Sequence, residues 1–161
     1  MNANKTMYRY EYGIVTKIVD GDGFYLLNQS LNKELEIRLL GVDAPEISQC
    51  KKLLQDERET HLPGDLLRQL GLLSKKILVD LLPIGTKILY RCTDRNSVDI
   101  YRRTLAYAYL ADGTCINEEL LKMGYVKPLD KYICDDIIVY KALNAAARLN
   151  KRGLYNLVSC F

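Results

Sequence analysis

Apolar and polar positions alternate over Tyr10–Val19, a stretch rich in β-branched and aromatic residues, and this period of two predicts a half-buried strand. Asp20–Gly21–Asp22–Gly23 breaks the alternation with a tight turn, in which glycine permits positive φ and aspartate tolerates it. Phe24–Leu27 predicts a second strand, residues 29–33 its turn, and Glu34–Leu40 a third strand with Leu35, Ile37 and Leu39 on one face. Gly41 and Pro45 bracket a loop. From Ile47 to His61 the chain is charged and weakly patterned, and reads as a mobile surface segment ended by Pro63–Gly64. The period then becomes helical over Asp65–Leu82, where Leu66, Leu70, Leu73, Ile77 and Leu81 recur and Asp65 is placed to cap.

Lys87–Cys92 and Thr104–Leu110 predict two further strands, joined by the polar segment Thr93–Arg103. The turn Ala111–Asp112–Gly113 leads to a short helix near Asn117–Met123, stopped by Gly124. A last helix is expected from Asp136 to Arg152, with Ile137, Tyr140, Leu143, Ala147 and Asn150 along one stripe and Gly153 at its end. Five short strands interrupted by a helix after the third predict an α+β fold, a five-stranded Greek-key barrel of OB type carrying three helices. At 161 residues the chain fits one domain, 1–161, with residues 1–9 as a flexible N-terminal segment. There is no internal repeat.

No apolar run approaches the roughly 20 residues that cross a bilayer, so no membrane association is expected. The first residues carry no apolar signal core, which predicts a cytoplasmic protein, or a secreted or periplasmic one if a leader was removed. The net charge of +3 is unevenly spread: up to Pro83 there are 11 Lys/Arg against 12 Asp/Glu, and beyond it 12 against 8. The basic C-terminal half suits a polyanionic partner, although a solvated helical surface accounts for it equally well. Five scattered cysteines without a C-x-x-C pair, and a single histidine, argue against a zinc site and give a histidine-based triad no support; the thiols are expected reduced and mostly buried, with one disulfide as the open alternative, and His61 on the surface.

Candidate chemistry gathers where the third strand ends. Arg38, Asp43 and Glu46 fall within nine residues; Asp20 and Asp22 precede them, and Arg102–Arg103 follow. Three carboxylates able to share a metal, with arginines to hold a phosphate, form a phosphodiester-cleaving set. A hard divalent cation on carboxylate oxygens neutralises the phosphate and orients water, arginines bind the phosphoryl oxygens, and a further carboxylate takes the water proton. On this reading Asp22 and Asp43 are metal ligands, Arg38 and Arg103 the phosphate clamp, and Glu46 the base. Singly, each piece is weak: Asp-Gly-Asp is most often only a turn, and paired arginines are often a solvated strand edge.

Together the motifs resemble the staphylococcal-nuclease-like, or thermonuclease, family. The matching text is Val19–Asp20–Gly21–Asp22, the run from Ile37 through Arg38 and Asp43 to Glu46, and Tyr101–Arg102–Arg103–Thr104–Leu105–Ala106–Tyr107. Asp112–Gly113 with Asn117–Glu118, and Ala145–Ala146–Ala147 through Gly153–Leu154–Tyr155, extend the match, which runs from about Tyr12 to Tyr155. The resemblance implies an OB barrel with three helices and a monomeric Ca2+-dependent nuclease that cleaves DNA and RNA, leaving 3′-phosphate ends. It implies Asp22, Asp43 and the main-chain carbonyl of Ala44 as Ca2+ ligands, Glu46 on the water, and Arg38 and Arg103 on the phosphate. Tyr101 would lie near a terminal phosphate, Tyr132 is a base-stacking candidate, and Asp20 would support the metal turn from behind.

The chain departs from the family pattern in four places. Gly23 and Ala44 stand where Thr is common, and Gly23 is expected to loosen the turn. Arg102 replaces a usual Gly, which costs roughly 1 kcal/mol if the position needs positive φ. Ile100 replaces a basic residue. The alternative from another class is a binding module for nucleic acid or protein without catalysis; three acids along a phosphate path argue against it unless a cation is bound. A merely structural barrel leaves the joint occurrence of Arg38, Asp43, Glu46 and Arg103 unexplained. The segment from Ile47 to Pro63 is expected to gate the site as a mobile loop.

Overall fold

The computed structural model describes residues 7–95 and 97–161. In chain order the elements are β1 (Tyr8–Ile18), β2 (Gly23–Asn28), β3 (Lys33–Leu39), β4 (Val42–Asp43), α1 (Lys51–Thr60), α2 (Gly64–Leu81), β5 (Lys87–Thr93), β6 (Thr104–Tyr109), α3 (Ile116–Met123), β7 (Lys127–Pro128), α4 (Ile137–Leu149) and a 3-10 turn, Gly153–Asn156. Residues 1–6 of the expected flexible segment lie outside the described residues. The segment does not extend to Tyr8 and Arg9, which already pair with Thr93 and Cys92.

Five strands close into a barrel in the order β1-β2-β3-β6-β5, the OB-type architecture that the strand order predicted. Four pairings are antiparallel, and a parallel one between β3 and β6 closes the ring, with Ile37, Arg38 and Leu39 opposite Thr104, Leu105 and Ala106. A register shift between Val15 and Lys17 kinks β1, which serves two neighbours at once. Inward positions alternate as the pattern requires: Phe24 and Leu26, Ile37 and Leu39, Ile88 and Tyr90, Leu105 and Tyr107 are all buried. Each such side chain contributes about 1.5–3 kcal/mol by leaving water.

The side chain of Asn117 docks α3 onto the barrel. It is fully buried, donates to the carbonyls of Leu40 (2.9 Å) and Ala106 (3.3 Å), and accepts the Ala108 amide (3.0 Å). Its place in the motif therefore has a structural cause. Asp112 likewise only closes a turn, accepting the Thr114 amide at 2.9 Å.

Three sequence expectations need correction. First, the supposedly mobile segment contains a helix, α1, so there are four helices rather than three. Its own signals are poor: it buries only Leu53 and Asp56, lacks a side-chain cap, and has two lysines where the helix dipole favours acids. Tertiary contacts hold it instead. Leu53 joins a second core with Leu67, Leu70, Ala147, Leu154, Tyr155 and Phe161, and Glu57 accepts the Gly64 amide at 2.7 Å. Second, α2 buries Leu67, Leu70, Gly71, Ser74 and Leu78, while Leu73 is exposed. Leu70 is buried and Leu66, Ile77 and Leu81 pack against the cores as expected, but the leucine pattern missed the small residues that point inward beside them. Pro63, not Asp65, precedes its first turn. Third, α4 ends at Leu149 and a separate turn follows.

The five cysteines are free, and only Cys92 and Cys134 are buried, so the expectation that most are buried is not met; His61 is exposed as expected. No described helix is long and apolar enough to cross a membrane.

Candidate active site

Strand register brings the distant motifs to one end of the barrel. Gly23 pairs with Arg38, and the Leu39 amide donates to the Asp22 carbonyl at 2.9 Å, so the acidic turn lies beside the arginine strand. The parallel pairing of Ile37 with Thr104 brings Arg103, one residue earlier, to the same end. Two-residue β4 and β7 set Asp43 opposite Lys127.

Helix α2 underlies both acidic loops. A Cβ on Gly21 would meet Ser74 Cβ at 2.5 Å and Ala44 Cβ at 2.7 Å, so only glycine fits between them. A Cβ on Gly71 would meet the Pro45 carbonyl oxygen at 2.5 Å, and Arg68 Nε donates to the Ile47 carbonyl at 3.1 Å. Close approach, not positive φ, thus explains the acidic-turn glycines, since neither Gly21 nor Gly23 has positive φ. Gly23 does not loosen the turn either: its carbonyl accepts the amides of Val19 (3.0 Å) and Asp20 (3.3 Å).

At the centre lies a nearly buried charge network. Arg38 Nη1 pairs with Asp22 Oδ2 at 2.9 Å and Nη2 with Asp43 Oδ1 at 2.9 Å, while Nη1 also donates to the carbonyls of Val42 (2.9 Å) and Leu39 (3.3 Å). Asp22 Oδ2 further accepts the Ala44 amide at 2.6 Å. From α1, Lys52 Nζ donates to Asp43 Oδ1 at 2.9 Å and to the Ala44 carbonyl at 3.2 Å. Burial pushes the Asp22 carboxyl above its ordinary value, and Asp20 and Asp43 add to the rise, while the Arg38 guanidinium at 2.9 Å pulls it back and favours the carboxylate. For Arg38 and Lys52, burial opposes the charge, yet the Asp22 and Asp43 carboxylates outweigh it and hold both groups above their ordinary values.

Among the described residues no three His, Cys, Asp or Glu side chains are arranged to share a metal ion. The three-carboxylate site is therefore not met, because Glu46 turns to its own loop. Glu46 Oε1 accepts the amides of Ile47 (3.1 Å) and Ser48 (3.3 Å), and Oε2 has no hydrogen-bond partner among the described residues. What remains is an oxygen set from Asp22, Asp43 and the Ala44 carbonyl. Two of these oxygens already converge on one cationic nitrogen, an environment that fits a hard divalent ion.

A cavity of about 680 Å³ opens over this network, and Asp20, Asp22, Arg38, Asp43, Ala44, Glu46, Tyr101, Arg103 and Tyr132 all line it. Every residue assigned a role on metal, water, phosphate or base in the sequence reaches this one place, whereas Arg102, Asp112 and Asn117 do not. The two arginines differ in their engagement. Arg38 is spent on the aspartates and carbonyls, whereas Arg103 is held through Nε by Asp99 Oδ2 at 2.8 Å, and its Nη groups have no hydrogen bond among the described residues. Tyr101 is largely exposed, with its ring 5.5 Å from the Arg103 guanidinium carbon. Asp20 Oδ1 accepts the Asp22 amide at 3.1 Å, consistent with support of the turn. Arg102 does adopt positive φ, 64°, in the turn that presents Arg103.

Sequence reasoning missed Lys52 and Asp99. Asp99 is buried four residues before Arg103, and that spacing was a usable signal; Lys52 sat in a segment with no helical pattern. Lys51, Gln55, Asp56 and Glu59 of the same helix also line the cavity.

A model of the family described as staphylococcal nuclease homologue matches residues 36–157. The chain belongs to the staphylococcal nuclease homologue family. The Uncharacterized protein MJ1439 of Methanocaldococcus jannaschii is 33% identical over 158 residues, covering 92% of this chain and 73% of that protein. Endonuclease YhcR of Bacillus subtilis is 30% identical over 149 residues, 89% of this chain but 11% of its own length. An uncharacterized endonuclease of Haemophilus influenzae is 33% identical over 134 residues, 83% of this chain and 61% of its own. The chain thus spans a small part of the Bacillus protein and somewhat under two thirds of the Haemophilus one. Family membership and these endonuclease relatives set the substrate class to consider.

Proposed function

We propose that this chain is a Ca2+-dependent nuclease that hydrolyses phosphodiester bonds of DNA and RNA and leaves 3′-phosphate ends. The observation that supports this best is the convergence of Asp22, Arg38, Asp43, Glu46 and Arg103 on one cavity beside the Ala44 carbonyl. Asp22, Asp43 and the Ala44 carbonyl are the groups that would hold the ion. When bound, Ca2+ supplies charge neutralisation at the phosphate and polarises water.

The chain's own residues account for the rest. Oε2 of Glu46 is the free oxygen that accepts the water proton, while Oε1 stays tied to the loop amides and fixes its direction. Arg103, anchored through Nε, offers both Nη groups to the phosphoryl oxygens, where charge grows as the water oxygen bonds to phosphorus and the P–O5′ bond breaks, the departing 5′-oxygen taking a proton from solvent in the open cavity. Arg38, whose Nη groups are engaged by the aspartates and carbonyls, serves as the second cation through its charge beside the phosphate position rather than through free donors. Tyr101 at the rim is suited to a terminal phosphate and Tyr132 to a stacked base, with the basic Lys127 and Lys131 nearby.

Labelled single-stranded DNA and RNA oligonucleotides test the assignment. Glu46→Gln and Arg103→Ala should each lose activity by at least about 100-fold, and the parent's products should carry 3′-phosphates. Parent-like cleavage by either variant would remove that residue's role. Chelator-insensitive binding without cleavage would make the barrel a reader of nucleic acid.

A further inference from the structure

We propose that Lys52 is a tethered cation that holds the divalent-metal position in the metal-free protein and is expelled when the metal binds. The inference rests on the reading of Asp22, Asp43 and the Ala44 carbonyl as the metal-holding set. Lys52 Nζ lies 2.9 Å from Asp43 Oδ1 and 3.2 Å from the Ala44 carbonyl oxygen, two of those three donors. A calcium ion sits roughly 2.3–2.6 Å from its oxygens. An ammonium bonded to the same two oxygens fills the same space and repels the ion, so each excludes the other.

The placement of Lys52 on α1 adds a second observation. Lys51 and Lys52 occupy the first turn of α1, which has no acidic residue there, although a helix N-terminus disfavours cations. Local helix chemistry does not account for a lysine at this position; the Asp43 carboxylate does. The side chain is 38% exposed and reaches the carboxylate across the cavity wall, so its stem can swing outward without unpacking the core. Expelled, the ammonium remains in a cavity already lined by Arg103 and Lys127, where an incoming phosphodiester would meet it. The metal affinity of the site is therefore set by an exchange of ammonium for metal rather than by the carboxylates alone.

Calcium titration by calorimetry, without nucleic acid, tests this on the parent, Lys52→Gln, Lys51→Gln and Asp43→Asn. Removing the Lys52 charge should tighten Ca2+ binding about five- to tenfold, the worth of a half-exposed charge-assisted pair. Lys51→Gln makes the same charge change without the contact and should shift affinity less than about twofold. In the unmutated protein, lysine acetylation followed by mass spectrometry should show Lys52 reacting faster with Ca2+ than without, and Lys51 unchanged. Equal affinities for the parent and Lys52→Gln, with binding lost in Asp43→Asn, would overturn the role of Lys52 and leave the metal reading intact. No Ca2+ binding by the parent would overturn both.

Discussion

Replacing Asp99 by Asn removes the charge-assisted hydrogen bond that holds the Arg103 guanidinium through Nε. The Asp99 side chain is fully buried; Oδ1 accepts the amides of Tyr101 and Arg103 at 2.9 Å each, and Oδ2 accepts Arg103 Nε at 2.8 Å. Asparagine keeps one oxygen for the two amides and turns an amino group toward the guanidinium, a donor against a donor. One charge-assisted hydrogen bond is lost, worth about 1.5–3 kcal/mol when well shielded. The Arg103 side chain is 23% exposed, so solvent screening lowers that to about 1–2 kcal/mol. Applied to transition-state contacts, this is a fall of roughly 5–30-fold in kcat. KM should change little, because the guanidinium charge remains in the cavity. Steady-state cleavage of a labelled oligonucleotide, with a thermal melt of the same preparation, separates the outcomes. Parent-like kcat alongside a lowered Tm would refute the reasoning and leave Asp99 as a stabiliser of the turn alone.

Three further perturbations follow from the structure. Gly71→Ala places a Cβ 2.5 Å from the Pro45 carbonyl oxygen, so it should cost about 1–3 kcal/mol in chemical denaturation and shift the Glu46 loop, lowering kcat. Arg102→Gly relieves a left-handed residue at φ 64° and should raise stability by up to about 1 kcal/mol; a lower Tm would mean that the arginine makes a contact outweighing the strain. Burial pushes the Cys92 thiol up to about 11 from an ordinary 9, so above pH 9 the folded protein keeps a proton that the unfolded chain releases. Stability should therefore decline as pH rises from about 9 to 11, and Cys92→Ala should flatten that slope in denaturant titrations; an unchanged slope would assign it to other groups.

The barrel was legible because the inward positions of its strands largely alternate, apart from the kink in β1, and the chain turns at Gly, Asn and Asp clusters. The site residues were legible by resemblance, since Asp22, Arg38, Asp43, Glu46 and Arg103 stand in short runs anchored to those strands. Helix α1 was not, because its stability comes from Leu53 in a distant core and from Glu57 capping the next helix, neither of which leaves a local period. Part of the buried face of α2 was missed for a related reason: Gly71 and Ser74 face inward to admit the two acidic loops, and a leucine count passes over them. The engagement of Arg38 with both aspartates depends on the Gly23–Arg38 register, which no single motif states.

The most direct test of the central claim is cleavage of denatured, fluorescently labelled DNA with millimolar Ca2+, beside an EGTA control and the Glu46→Gln protein. Cleavage that needs Ca2+ and disappears in the variant is the predicted result. Cleavage that survives EGTA, or persists in Glu46→Gln, would contradict the assignment of this cavity as a Ca2+-dependent phosphodiesterase site.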